Sequence, residues 1–174
     1  MKKWLLAMVA FISFTSSAQS LEEVNFSPST TTNFNTYVTG INNNNFICGY
    51  YTNTAGFKKG FVVNPMGKKL IFDGASMSPV YDHVSVEGIN DSNTVIINAT
   101  DAAGNITILK AYYDSILMKY NVVAVSGNGQ PNVAKPFAIN NYNVYAGWYP
   151  NLTDRWLFTL NDSTISSTLT WDAD

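Results

Sequence analysis

A single cysteine, Cys48, and a single histidine, His83, are all that 174 residues offer of the side chains that most often bind zinc or act as nucleophile and base. One thiol closes no intramolecular disulfide, and one His with one Cys cannot supply the usual nitrogen and sulfur ligand set of zinc. Small exported domains often rely on disulfides, but a chain of this length can bury enough surface without them, so stability has to come from packing. Charge is scarce too: Asp, Glu, Lys and Arg make up 13% of the residues, about half the ~25% of ordinary globular proteins. After residue 18 there are 8 basic against 12 acidic side chains. Nucleic acid and anionic lipid reward clustered Lys and Arg, so this balance argues against both as partners. The doublets Lys58-Lys59 and Lys68-Lys69 read as decoration of solvent faces. Beyond residue 18 there is also no amphipathic helical period, no Gly-rich phosphate loop, and no run near the roughly 20 apolar residues of a membrane-spanning helix.

What is present begins with Lys2 and Lys3, an apolar stretch from Trp4 to about Phe14, and Ser16-Ser17-Ala18 before Gln19. A positive start, a short apolar stretch and small residues at the cut are the pattern of a secretory signal peptide over 1–18. The mature chain is then expected in the periplasm or outside the cell, without a lipid anchor, because no Cys follows the cut.

The remainder is organised by one phrase used three times: Gly40-Ile41-Asn42-Asn43, Gly88-Ile89-Asn90-Asp91 and Ala138-Ile139-Asn140-Asn141, 48 and 50 residues apart. Periods of this size mark a supersecondary unit that hides its apolar face only against its neighbours. Ile41 to Tyr51 and Ile139 to Tyr149 align without a gap, matching Gly49 to Gly147, Tyr50 to Trp148 and Tyr51 to Tyr149. The middle copy keeps the turn and the apolar run but loses the glycine and both aromatics. Asparagine, with 21 residues, falls mostly between apolar runs, where its tolerance of left-handed backbone and its side-chain bonds to nearby backbone make turns.

This pattern predicts an all-β fold: a single domain over 19–174 built from three tandem four-stranded antiparallel repeats at about 36–76, 84–126 and 134–171. The predicted strands are 37–41, 46–52, 60–64 and 69–73; then 84–89, 94–100, 106–113 and 117–125; then 136–139, 144–149, 155–160 and 165–170. Thr94 to Ile97 and Tyr112-Tyr113 are apolar at consecutive positions and should be covered on both faces. Leu21 to Asn35 reads as a lead-in or as one added strand.

The sequence Gly40-Ile41-Asn42-Asn43, an apolar strand ending Gly49-Tyr50-Tyr51, then Gly60-Phe61-Val62-Val63, resembles the HAF repeat of secreted bacterial proteins. The third copy keeps Ile139-Asn140-Asn141 and Gly147-Trp148-Tyr149; the second retains only Gly88-Ile89-Asn90 clearly. The resemblance spans most of 37–161. It implies an extracellular array of β-propeller-like blades and transfers no catalytic residues. Closed propellers take about four to eight blades, which leaves three solutions for three repeats: a homodimer completing a six-bladed ring, an open array, or, as the alternative fold, a β-trefoil.

Candidate chemistry is thin. His83 stands between Asp82 and Ser85, but neighbouring strand residues point to opposite faces and a Ser-His-Asp triad needs convergence. Cys48 sits in an apolar strand and reads as a small buried hydrophobe. Asn90 to Asn93 and Asp101 to Asn105 are oxygen-rich, yet each offers one acid where calcium wants several carboxylates among six to eight oxygens, so they read as Asx turns. No catalytic residue, metal or cofactor is assigned. Aromatic pairs at corresponding positions should each send one ring inward and one outward. Asn44, Tyr50 and Trp148 are accordingly the candidate ligand contacts. The expected function is a secreted, non-enzymatic binding or interaction module for extracellular carbohydrate or protein. The alternatives are a polymer hydrolase using Asp73, Asp82 or Asp154, and a purely structural envelope protein.

Overall fold

A computed structural model describes residues 35–125, 135–150, 155–161 and 164–170, and apart from one 3-10 turn at Gly74–Ser76 its regular structure is all β. The expected leader, the lead-in from Leu21, Asn151 and Asp154 lie outside these residues, as do the side chains of 148–150 and 155–170. The first sheet holds β1 (Thr36–Ile41), β2 (Ile47–Thr52), β3 (Lys58–Val63) and β4 (Lys69–Phe72). The second holds β5 (His83–Ile89), β6 (Val95–Thr100), β7 (Ile106–Asp114) and β8 (Lys119–Ala124); the third holds β9 (Lys135–Ile139), β10 (Tyr145–Pro150), β11 (Arg155–Asn161) and β12 (Thr164–Thr170). Within each sheet the strands pair antiparallel in chain order. Each strand begins and ends within two residues of its predicted bounds.

The turns explain the asparagines. Between β2 and β3 the Asn53 carboxamide oxygen accepts the backbone N–H groups of Ala55 and Phe57; Asn64 does the same for Met66 and Lys68, and Asp101 for Ala103 and Asn105. The fourth residue of each of these turns is a glycine with positive φ: Gly56 at 85°, Gly67 at 75° and Gly104 at 85°. The hairpins β1–β2, β5–β6 and β9–β10 use the same cap from Asn42, Asn90 and Asn140. Their fourth residue, however, is Asn45, Asn93 or Asn143, each at φ 59°. Glycine is the cheaper residue in left-handed backbone, so asparagine at these three positions points to a use for its side chain.

That use lies between sheets. The Asn42 Nδ2 donates to the Asn90 carbonyl at 2.8 Å and to the Asn93 Oδ1 at 2.7 Å. Asn90 repeats this one sheet on, donating to the Asn140 carbonyl at 3.0 Å and the Asn143 Oδ1 at 2.9 Å. Beside this ladder runs a second, in which the Asn43 N–H donates to Asp91 Oδ1 and the Asp91 N–H to Asn141 Oδ1. Each hairpin also carries one extra residue in its first strand, Thr39, Glu87 or Phe137, where the register shifts.

The sheets stack in order, the second packing on the first through β5 and on the third through β5, β6 and β9. Cys48, Val62 and Phe72 of the first sheet meet Val84, Val86, Ile97, Ala99, Leu109 and Ala111 of the second. On its other side the second sheet meets Tyr145 and Ile139 through Ile96 and Ile108. Val95, Ile96 and Ile97 are therefore buried on both faces, as the apolar run predicts; Tyr112 and Tyr113 are only half-buried. Each fully buried Val or Ile is worth about 1.5–3 kcal/mol and each ladder bond about 1 kcal/mol, so the core supplies most of the stability and the ladder sets the stacking register.

As three repeats imply, the described strands form antiparallel sheets but no closed propeller. Three sheets are too few to close, and among the described residues no extended contact joins the first sheet to the third. No strand of one sheet is hydrogen-bonded to a strand of another among the described residues, so the barrel of a trefoil is not formed either.

Candidate functional site

Strand register brings corresponding positions together at the end opposite the asparagine turns. There Tyr37 pairs with Tyr50, Ser85 with Asn98, and Lys135 with Trp148. Near this end opens a polar cleft of about 400 Å³ whose described walls come from all three sheets: Lys58 from the first, His83, Ser85, Asn98 and Thr100 from the second, and Lys135 from the third.

Each wall residue is placed by ordinary strand geometry. His83 opens β5, and its Nδ1 accepts the Lys58 backbone N–H at 3.2 Å, which leaves the neutral ring's proton on Nε2. Phe57 flanks the ring at 5.7 Å. Ser85, two residues on and hence on the same face, donates its hydroxyl to Glu87. Asn98 lies across from Ser85, its Oδ1 buried and without a hydrogen-bond partner. A buried amide oxygen left unpaired costs about 1–3 kcal/mol, and because this one is fully buried a ligand hydroxyl or N–H relieves that cost only by parting the wall around it.

Tyr50 does not line the cleft and is linked to it through Lys58. Its ring stacks on Tyr37 with centroids 4.9 Å apart, and the Lys58 ammonium sits 4.5 Å above it. Burial, then the nearby Glu87 carboxylate, push its phenol pKa up, so the hydroxyl stays protonated at neutral pH. Tyr51 points to the opposite face and packs against Phe61 and Val63, as expected for one ring of the pair. Trp148 occupies the corresponding position in β10, with its side chain outside the described residues.

Asn44 is not part of this cleft. It lies at the opposite end, where its amide donates to the Asp91 carbonyl at 2.6 Å and serves the contact between sheets. The solvent-face reading holds for Lys68 and Lys69, which are exposed, and is corrected for the other doublet: Lys58 covers Tyr50 and Lys59 pairs with Asp73, and both are half-buried by the packing of β3. Sequence reasoning missed Asn98 and Lys135, and set Lys58 and Ser85 aside. A usable signal was there, because Asn98 aligns with Tyr50 and Trp148 in the three copies of the phrase.

The remaining candidates are accounted for locally. Cys48 is fully buried, and desolvation pushes its thiol up to about 11, against a smaller lowering by the Thr39 hydroxyl. Asp101 and Asn90 spend their side-chain oxygens on their own turns. Asp73 caps Ala75 besides pairing with Lys59, and no hydrogen bond or ion pair joins it to Asp82 among the described residues. Among the same residues no three of His, Cys, Asp and Glu converge on one point. Two further clefts, of about 300 and 320 Å³, lie beside Met77 between the outer strands and are mainly apolar. No family model, curated protein or solved structure matches this chain.

Proposed function

We propose that this chain is an exported, non-enzymatic β-repeat protein of the HAF type, its three sheets serving as blade-like units, and that it binds extracellular carbohydrate in the polar cleft. The observation that carries this reading is the unpaired Asn98 Oδ1 in a wall it shares with two lysines and His83, beside the stacked Tyr37 and Tyr50 rings. Aromatic faces suit the C–H face of a sugar ring. The buried amide oxygen accepts a sugar hydroxyl once the wall admits it, and the Lys58 ammonium favours an acidic sugar over a neutral one. Hydrolysis of a glycosidic bond takes two carboxyl groups about 5–9.5 Å apart; among the described residues the cleft lining carries none, and one carboxylate, Glu87, accepts the Ser85 hydroxyl.

A glycan array probed with the soluble protein tests the reading. Binding to acidic oligosaccharides, weakened at least tenfold by Lys58→Ala and by Asn98→Leu, supports it. A uniformly blank array, or binding indifferent to both substitutions, removes the cleft as a carbohydrate site and leaves a scaffold role ahead.

A further inference from the structure

The asparagine ladder has two unlike ends. At its start, the Asn42 carbonyl and the Asn45 Oδ1 hold the positions at which Asn90 and Asn93, and again Asn140 and Asn143, accept a carboxamide from the sheet before. Among the described residues nothing donates a side-chain amide to them. At its finish, the Asn140 Nδ2 has no acceptor among the described residues, and the residue is exposed whereas Asn42 and Asn90 are 8% and 3% exposed.

The apolar contacts end in the same mismatch. Ile89 seats on Gly40, where an added Cβ would lie 3.6 Å from its Cγ2, and at Gly88 an added Cβ would lie 3.4 Å from the Ile139 backbone nitrogen. The corresponding Ile41 is 64% exposed against 9% for Ile89, and Val38 is 58% exposed against 0% for Val86. Its would-be seat, Ala138, is exposed at the other end of the molecule. Phe61 and Val63, farther out on the face of Ile41, are buried, so the open surface is confined to β1 and its turn.

We infer that a second copy of this chain joins the two ends. Asn140 of each protomer donates to Asn42 and Asn45 of the other, and Ile41 of each seats on Ala138 of the other. The contact is head-to-tail and reproduces the two joints already inside the chain. Two copies with two such joints close a ring of six sheets, within the about four to eight that propellers use. This inference is independent of what fills the cleft, since Lys58 and Asn98 lie at the other end of the strands.

Sedimentation equilibrium on the full chain tests it. Asn45→Gly keeps the left-handed turn and removes one acceptor per joint; Asn140→Asp keeps the turn cap and removes the donor. At about fivefold per hydrogen bond and two joints per ring, each should raise the dimer dissociation constant at least tenfold, while Asn98→Leu leaves it unchanged. A dimer with these responses supports the ring. A single-chain mass at the highest soluble concentration, a dimer indifferent to Asn45→Gly and Asn140→Asp, or polymers that grow without limit would each overturn it.

Discussion

Replacing Asn90 by aspartate alters one atom and separates the two roles assigned to this residue. The Oδ1 that caps Ser92 and Thr94 remains; the Nδ2 that reaches Asn140 and Asn143 becomes a second oxygen facing two oxygens. Two net hydrogen bonds at about 1 kcal/mol each are lost. A carboxylate at a site 3% exposed to solvent adds roughly 1–3 kcal/mol more. The expected destabilisation at pH 7 is therefore about 3–5 kcal/mol. The same substitution at Asn140, which is exposed and has no sheet beyond it among the described residues, should cost under about 0.5 kcal/mol. The variant's pH dependence has a definite sign. Burial against acceptors raises the folded-state pKa of the carboxyl introduced by Asn90→Asp above its unfolded value of ~3.9. Its penalty is smallest below that value, where the protonated acid can still donate one bond, and grows as pH rises toward the folded pKa. Urea unfolding followed by far-UV circular dichroism, at concentrations low enough to dissociate any dimer, measures both variants. Equal effects at positions 90 and 140, or a loss under about 1 kcal/mol for Asn90→Asp at pH 7, would refute the ladder as a stabilising contact.

The other expectations concern single residues. Cys48 should stay unreactive toward a disulfide reagent at pH 8 until denaturant unfolds the chain, because its thiol is fully buried and pushed up to about 11; rapid native-state labelling would contradict this. Asp91, held below the ordinary carboxylate range by the Asn43 N–H and then by the Asn141 and Asn43 amides, binds its proton more weakly folded than unfolded. Its contribution is present above ~4 and is lost as pH falls through the lower folded value, so Asp91→Asn should flatten the acid limb of stability against pH, and an unchanged limb would count against the assignment. Gly49→Ala places a Cβ onto the Tyr37 carbonyl and 2.9 Å from the Phe61 ring and should cost ~3 kcal/mol or more. Gly56→Ala, with open space around it but φ at 85°, should cost about 1 kcal/mol; similar urea midpoints for the two would mean that the strand relaxes around Gly49.

Much of the fold was legible because strand periodicity and turn chemistry are local. Alternation across Lys119 to Ala124 and the Asn and Gly punctuation place strand ends to within two residues without reference to any partner. Burial of Thr94 to Ile97 on both faces followed from its uninterrupted apolar character, whereas Tyr112-Tyr113 misled because the outer end of β7 is covered on fewer sides than its middle. The ladder was half visible. Asparagine at the first and fourth positions of all three hairpins was on the page, but a turn explains it as well as a contact does, until Gly56, Gly67 and Gly104 show what the same turn uses where no side chain is needed. Lys58, Asn98 and Lys135 come from three different strands in three sheets, and a cleft that exists only after stacking leaves no run or spacing along the chain.

The two ends of the stack answer to different constraints. At the hairpin end a short carboxamide serves the turn cap at Asn42, Asn90 and Asn140 and the left-handed fourth position at Asn45, Asn93 and Asn143, and at Asn42 and Asn90 it also donates to the next sheet. At the other end the register asks only for strand residues, and the corresponding positions carry Tyr50, Asn98 and Trp148 opposite Tyr37, Ser85 and Lys135. A position free of geometric demand can vary without loss of fold, so chemistry that differs from sheet to sheet accumulates there. An aromatic, an unpaired amide and two lysines side by side are poor choices for stability alone, since Asn98 Oδ1 forgoes a hydrogen bond that leucine in its place would not need. If ligand binding is the compensation, Asn98→Leu should raise the urea midpoint while abolishing binding. A variant that instead loses stability would mean that Asn98 serves the fold, and the cleft would then have no residue whose presence only a ligand explains.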